Sequence, residues 1–378
     1  MDLLSFLSDY TVQNVAIGAA LLGVSSGVLG TFAVLRQQSL LGDTLSHAAL
    51  PGICLGFILA GSRQLGSILA GALVTGVLAA LFMLLLTRRS RLKTDAGLGI
   101  SLSLFFALGV VLLTFIQGTG NASQGGLDSF LFGQAAAMLR SDLWVMGGVT
   151  GVALLLVALL WKELKLVTFD PLFAGSLGLP VVALEVFMTA MIAFAVVVGL
   201  QMVGVVLMAA MIIAPAAAAR QWVNSLGGMV FVSALVGAAG GVTGALISAS
   251  GRNLATGPLI ILSISAFVLF SILFAPGRGV VWEALQRWRN RRVLEAQRVL
   301  TTLYQLTEKH RDPGYLTEAG MVNVYHRADA TRALGRLHEA GFVERETHMP
   351  GEGEHWALTE EGRLEAERIL DALNPQGA

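Results

Sequence analysis

The sequence predicts an all-α polytopic membrane protein of eight or nine transmembrane helices, followed by a small cytoplasmic α+β domain. Three observations predict it. The chain of 378 residues is 55% hydrophobic and 13% charged, where soluble globular chains carry about 25% charged residues. Its mean hydropathy is +0.72. The charge is also uneven: residues 1–279 hold 12 Lys/Arg and 9 Asp/Glu, and residues 280–378 hold 13 and 16. The net charge of zero therefore adds a sparsely charged, net +3 segment to a densely charged, net −3 one. Finally, apolar runs of about 20 residues, the length that crosses a hydrocarbon core, recur through the first segment and stop at Ala275. A single large soluble enzyme is excluded, and the chain divides into 1–279 and 280–378.

The spans are expected at 12–35, 38–61, 66–87, 95–116, 142–161, 181–199, 201–219, 227–250 and 257–275. The pair within 181–219 is nearly continuous, so the count is nine or eight. The stretch 125–138 is too short and too polar for a span and reads as an interfacial or re-entrant piece. The start of the chain, with Asp2 and Asp9, lacks the basic flank of a signal peptide, so the first span is expected to stay. Lys/Arg in short loops set the orientation. Arg36, Arg88, Arg89, Arg91, Lys93, Lys162, Lys165 and Arg220 fall on one side, and Arg63, Arg140 and Arg252 on the other. The first side is therefore cytoplasmic, in a multi-pass protein of the cell (inner or plasma) membrane with its C-terminal domain inside. Small residues four apart (Gly23/Gly27, Gly52/Gly56, Gly237/Gly241, Gly240/Gly244) predict close helix packing in lipid. Cys54 is the one cysteine, so no disulfide forms within the chain. Pro51 and Pro215 are expected to bend helices, and the Met residues of 188–211 to serve packing.

Beyond Pro276-Gly277-Arg278-Gly279 the pattern changes. Val281–Thr307 reads as an amphipathic, Arg-rich helix. Leu316–Tyr325 and Ala328–Ala340 read as two short helices, the second closed by Gly341 at a position needing positive φ. Phe342–Thr347 and Glu354–Leu358 read as a hairpin, and Thr359 caps a last helix to about Leu373. Helix, helix, hairpin and helix in that order is a winged-helix arrangement.

The most informative cluster is Gly42-Asp43-Thr44-Leu45-Ser46-His47. Asp43 and His47 are four apart, hence on one face of a helix, in the second span near its inner end. An ionisable residue within a span is costly and usually faces a polar pathway. A carboxylate with an imidazole suits a divalent first-row metal. Spacing alone leaves two readings open: an ion pathway, or Asp43 capping the helix while His47 makes one interhelical hydrogen bond. Two ligands are too few for a closed site, so further donors must come from other spans or from a second chain. A second cue is Asp170-Pro171-Leu172-Phe173-Ala174-Gly175-Ser176-Leu177-Gly178, where Asp caps and Pro begins a short helix that Gly178 ends. Glu185, near an inner span end, is expected to snorkel or to make a local hydrogen bond. No G-x-x-x-x-G-K-[ST] motif occurs, so the chain is not its own P-loop ATPase. No enzymatic activity and no cofactor are expected.

Residues 10–275 resemble the metal-ion permease subunits of ABC importers for manganese, zinc and chelated iron. The resemblance is carried by Arg36–Ala48, by Leu127-Asp128-Ser129-Phe130-Leu131-Phe132-Gly133, and by Val203–Leu207 running on to Ala214-Pro215-Ala216-Ala217-Ala218-Ala219-Arg220. It implies a metal held by Asp43 and His47 midway across the membrane, Mn²⁺ favoured and Zn²⁺ or Fe²⁺ as alternatives, with the ion as cargo. It implies that the segment bearing Asp170, Pro171, Ala174 and Gly178 docks on a cytoplasmic ABC ATPase subunit. It also implies an extracytoplasmic metal-binding protein and a second permease chain, identical or paralogous, beside the membrane lipid. Ala330–Glu344 and Trp356–Arg363 resemble winged helices of the diphtheria-toxin-repressor type. Arg327, Arg332 and Arg336 would lie on the candidate recognition helix, and His310, His326, His338, His348 and His355 could sense metal. The net charge of −3 and the membrane tether disfavour nucleic acid as a partner and favour a regulatory or protein-contact role. The rival readings are a membrane-anchored metal sensor signalling through this domain and a secondary metal carrier.

Overall fold

The computed structural model describes residues 9–61, 65–118, 133, 138–251, 254–310, 312, 315–326, 330–346 and 354–373. The chain divides into two compact units, Met1–Gly279 and Val280–Ala378. The expected piece at 125–138 lies outside the described residues except for Gly133 and Met138.

The first unit is helical. Its elements are α1 (Tyr10–Leu35), α2 (Leu41–Ala60), α3 (Leu65–Arg89), α4 (Thr94–Gly118), α5 (Arg140–Leu159), α6 (Trp161–Phe169), α7 (Pro171–Ser176), α8 (Val181–Val203), α9 (Val205–Trp222), α10 (Leu226–Ser250) and α11 (Thr256–Phe274). Eight of these are long and apolar enough to cross a bilayer: α1–α5, α8, α10 and α11. The remaining candidate, α9, is the return leg of a hairpin. α8 starts beside the end of α1, where Glu185 meets Arg36. α9 ends beside the same place, where Ala216 and Ala219 pack with Val34 and Leu35. The turn between them is Gly204, whose φ of 90° a side chain would strain. A continuous hydropathy profile hides this break because a single glycine carries it.

α1 is the central helix, with Ala19, Leu22, Leu29 and Phe32 buried. Its small residues let α10 approach backbone to backbone. A Cβ at Gly27 would lie 2.5 Å from the Ser233 carbonyl oxygen, and one at Gly241 would lie 2.6 Å from that of Ala19. The Ser233 hydroxyl donates to the Gly27 carbonyl oxygen at 2.7 Å. Gly52 and Gly56 of α2 meet α3 at Gly71 and Ser67 in the same way. In lipid no hydrophobic force joins helices, so this close contact supplies the dispersion and hydrogen bonding that does. Met188, Met191, Met202, Met208 and Met211 are buried among these helices, in keeping with packing. Pro51 and Pro215 lie inside α2 and α9.

The second unit runs α12 (Val280–His310), β1 (Thr317–Glu318), α13 (Ala319–His326), α14 (Thr331–Glu339), β2 (Val343–Glu346), β3 (His355–Leu358) and α15 (Glu360–Leu373). The strands form one antiparallel sheet in the order β1-β3-β2. The short strand β1 was not expected from the sequence, since two residues carry no alternation pattern. Val299, Leu300, Leu303, Leu334, Leu337 and Trp356 make the core. Gly341 follows α14 with φ 78°, and Thr359 Oγ1 accepts the Gly362 N–H at 3.0 Å to cap α15. Arg332 and Arg336 lie on α14, whereas Arg327 and His348 lie outside the described residues. His310 stacks on Tyr315 at 4.0 Å, and His338 packs edge-on to Trp356 at 5.8 Å. Among the described residues no group of three or more His, Cys, Asp or Glu converges to hold an ion.

Candidate metal pathway and coupling segment

The link from α1 to α2 is tight. Gln37 adopts φ 57°, a left-handed conformation that a non-glycine residue rarely takes, and the Gln38 N–H donates back to the Ala33 carbonyl oxygen at 2.9 Å. The chain thereby reverses within five residues and starts α2 at Leu41. Asp43 lies in the first turn of α2, where the unpaired N–H groups and the helix dipole favour a carboxylate. One turn on, His47 Nε2 lies 3.3 Å from Asp43 Oδ1. The His47 side chain is 20% exposed and that of Asp43 35%. The His47 ring is held edge-on by Phe106 of α4 at 4.8 Å. Among the described residues its Nδ1 is buried without a hydrogen-bond partner, and its polar contact is through Nε2 with the carboxylate. Pro51 has no N–H to donate to the carbonyl oxygen of His47 four residues earlier.

The rest of α2 anchors this pair. Leu41, Leu45, Ala48, Ala49 and Leu50 are buried, and the Thr44 hydroxyl donates to carbonyl oxygens of Leu40 at 2.8 Å and Leu98 at 3.3 Å. Asp43 and His47 thus sit on the less covered face of a firmly packed helix. The structure brings together a carboxylate and an imidazole, two metal-ligand types, and the described residues supply no third side-chain ligand.

The second cue folds as a capped single turn and a half. The Asp170 carboxylate accepts the Phe173 N–H at 2.9 Å, and Pro171 occupies the first helical position. Ala174 is fully buried, and Gly178 ends the segment with φ 80°. The buried alanine presses α7 onto its own unit, while Leu172, Phe173 and Leu177 are 87%, 51% and 60% exposed. Sequence reading singled out the cap, the proline and the small residues but not these three apolar side chains. Their number in so short a helix was the available signal.

A further cluster escaped the sequence. Glu185, in the second turn of α8, does not snorkel: its Oε1 lies 2.9 Å from Arg36 Nη2 and its Oε2 pairs with Arg88 Nη2. The Arg36 and Glu185 side chains are only 10% and 15% exposed. This pairing joins the ends of α1 and α3 to the helix that follows α7. The partners lie far apart in sequence, so no local pattern could reveal it.

Comparison with known proteins matches the chain to a family. The chain is 47% identical to the manganese transport system membrane protein MntC of Bacillus subtilis (strain 168) over 304 residues, covering 80% of this chain and 70% of that one. It is 45% identical over 291 residues to the zinc transport system membrane protein TroC of Treponema pallidum, covering 77% and 97%. Among solved structures, PsaBC from Streptococcus pneumoniae in complex with Fab superposes with a TM-score of 0.64 at 36% identity, over 73% of this chain and 96% of that one. Residues 8–275 match the ABC 3 transport family throughout, and the chain belongs to that family of multi-pass membrane permeases.

Proposed function

We propose that this chain is the permease subunit of an ABC importer for a divalent transition-metal ion, with Mn²⁺ favoured over Zn²⁺ and Fe²⁺. The observation that carries the reading is the Asp43–His47 pair on a membrane-length helix of a chain nearly half identical to permeases named for manganese and zinc transport. One carboxylate oxygen and one imidazole nitrogen per chain suit a borderline-hard cation. A second permease chain presenting its own pair would complete the shell. Asp43 and His47 hold the partly dehydrated ion, and Phe106 fixes the imidazole.

The motive force comes from a separate cytoplasmic ATPase, since the chain has no P-loop. The apolar side chains of α7 dock on it, with Asp170, Pro171, Ala174 and Gly178 shaping the docking helix. An extracytoplasmic metal-binding protein delivers the ion on the other face. The Lys/Arg excess in one set of loops supports a cytoplasmic position for α7 and the C-terminal unit. We read that unit as a winged helix of diphtheria-toxin-repressor type, supported by its helix–helix–hairpin–helix order and three-stranded sheet. Its role is regulatory or protein-contacting rather than DNA-reading.

The test is radioactive Mn²⁺ uptake into proteoliposomes holding permease, ATPase and binding protein, with ATP on the cytoplasmic side. Asp43→Ala and His47→Ala complexes should assemble and lose uptake, and excess Zn²⁺ or Fe²⁺ should rank the ions by competition. Uptake at wild-type rate in both variants would discard the site, and uptake without ATP would discard the importer.

A further inference from the structure

The transport reading leaves the first half of α12 without a task. The second half of that helix belongs to the core of its unit, with Val299, Leu300 and Leu303 buried. The same helical face, followed toward the helix start at spacings of three and four, presents Trp288, Leu285 and Val281. Here apolar side chains reach the surface: Val281, Leu285 and Trp288 are 47%, 55% and 52% exposed, and Trp282 on their flank is 45% exposed. Beside them runs a basic row. Arg287, Arg291 and Arg298 line a cleft of about 1190 Å³ together with Arg332 and Arg336 of α14, against the two acidic residues Glu295 and Glu339. Arg287 and Arg291 pair with Glu283 at 2.5 Å and Glu295 at 3.2 Å, but their side chains are 79% and 82% exposed. Such surface pairs exchange readily for another anion.

We propose that the first half of α12 and its arginine cleft bind an anionic phospholipid of the bilayer surface at which α11 ends. The chain fixes the location. Five residues, 275–279, separate α11 from α12, a reach of at most about 18 Å when fully extended. The start of α12 therefore cannot leave the neighbourhood of the headgroups. The chemistry fits that zone: tryptophan and aliphatic side chains insert at the headgroup–acyl boundary, and arginine forks take phosphate oxygens in pairs. A second copy of α12 suits the stripe less well. The exposed part spans about two turns, and Arg287, Arg289 and Arg291 outnumber Glu283 and Glu295, so pairing two copies would set like charges against each other. The proposal rests on α11 being a membrane helix, and not on the identity of the transported ion.

The experiment uses the full chain in nanodiscs, with Cys54→Ala and Ala284→Cys carrying an environment-sensitive fluorophore beside the stripe. Discs containing phosphatidylglycerol should shift the emission to the blue and allow quenching by spin-labelled lipid, while discs of phosphatidylcholine alone should not. Arg287→Gln/Arg291→Gln should weaken titration of the shift by phosphatidylglycerol about 30-fold, from roughly a fivefold contribution lost per arginine. Inorganic phosphate should leave the emission unmoved. A label that reads water in both lipids would overturn the proposal. So would a shift that tracks permease dimerisation rather than lipid charge, or one that inorganic phosphate reproduces.

Discussion

Removing the charge of Glu185 should loosen the first unit by a calculable amount. Glu185→Gln keeps the shape of the side chain but leaves Arg36, 10% exposed, facing Arg88 with no counter-charge between them. Breaking a buried ion pair by removing one partner costs about 3–5 kcal/mol. The Arg36–Glu185 contact at 2.9 Å belongs near the lower end of that range, because both groups keep some access to water. The Arg88 contact, 43% exposed at the arginine, adds no more than about 1 kcal/mol. A loss of about 3 kcal/mol corresponds to a midpoint roughly 6 °C lower for a unit of this size. The protein carries its own reporter: Cys54 is the only cysteine and is fully buried in α2, so a thiol-reactive dye reads the opening of the bundle during a thermal ramp in detergent. Arg36→Met should cost less than Glu185→Gln, since Glu185 keeps Arg88. The double variant should cost less than the sum of the two singles, by about 1–3 kcal/mol of coupling. Additive midpoint shifts in the double variant, or a Glu185→Gln midpoint within a degree of wild type, would refute the argument that this pair is buried and mutually dependent.

Two further outcomes follow from the same geometry. Gly27→Leu should prevent α10 from reaching α1, because even a Cβ there lies 2.5 Å from the Ser233 carbonyl oxygen; the expected loss is at least about 1–3 kcal/mol, read by the same dye assay and by early Cys54 labelling at 25 °C, whereas Gly66→Ala, with open space around it, should leave both unchanged. Asp170→Ala removes the cap of α7 at a cost of about 1 kcal/mol and should weaken co-purification of the ATPase without altering metal binding by the permease; equal losses of both would mean that α7 serves the fold rather than the docking.

Much of the fold was legible because lipid imposes a length and a composition on every segment that crosses it. Spans were readable to within a few residues at Tyr10–Leu35 and Leu226–Ser250, since each is an apolar run bounded by polar residues. The paired Gly positions announced close helix contact. The Asp43–His47 pair was legible too, because a helix brings residues four apart onto one face whatever surrounds it. The α8–α9 break was less so: hydropathy runs through Gly204, and only the burial of Ala216 and Ala219 against Val34 and Leu35 shows that the chain has turned back.

The sequence by itself determined which segments are helices, where composition changes, and which local turns carry the Asp43–His47 pair and the Asp170 cap. These are fixed by interactions within a few residues, namely helix periodicity, caps and the cost of an unpaired backbone in lipid. Only the tertiary structure decided which glycine meets which helix, that Phe106 holds His47, that Glu185 joins Arg36 to Arg88, and that the apolar side chains at the start of α12 are exposed. Each of those depends on distances between residues remote in the chain, and a linear sequence contains no such distances until the helices have packed.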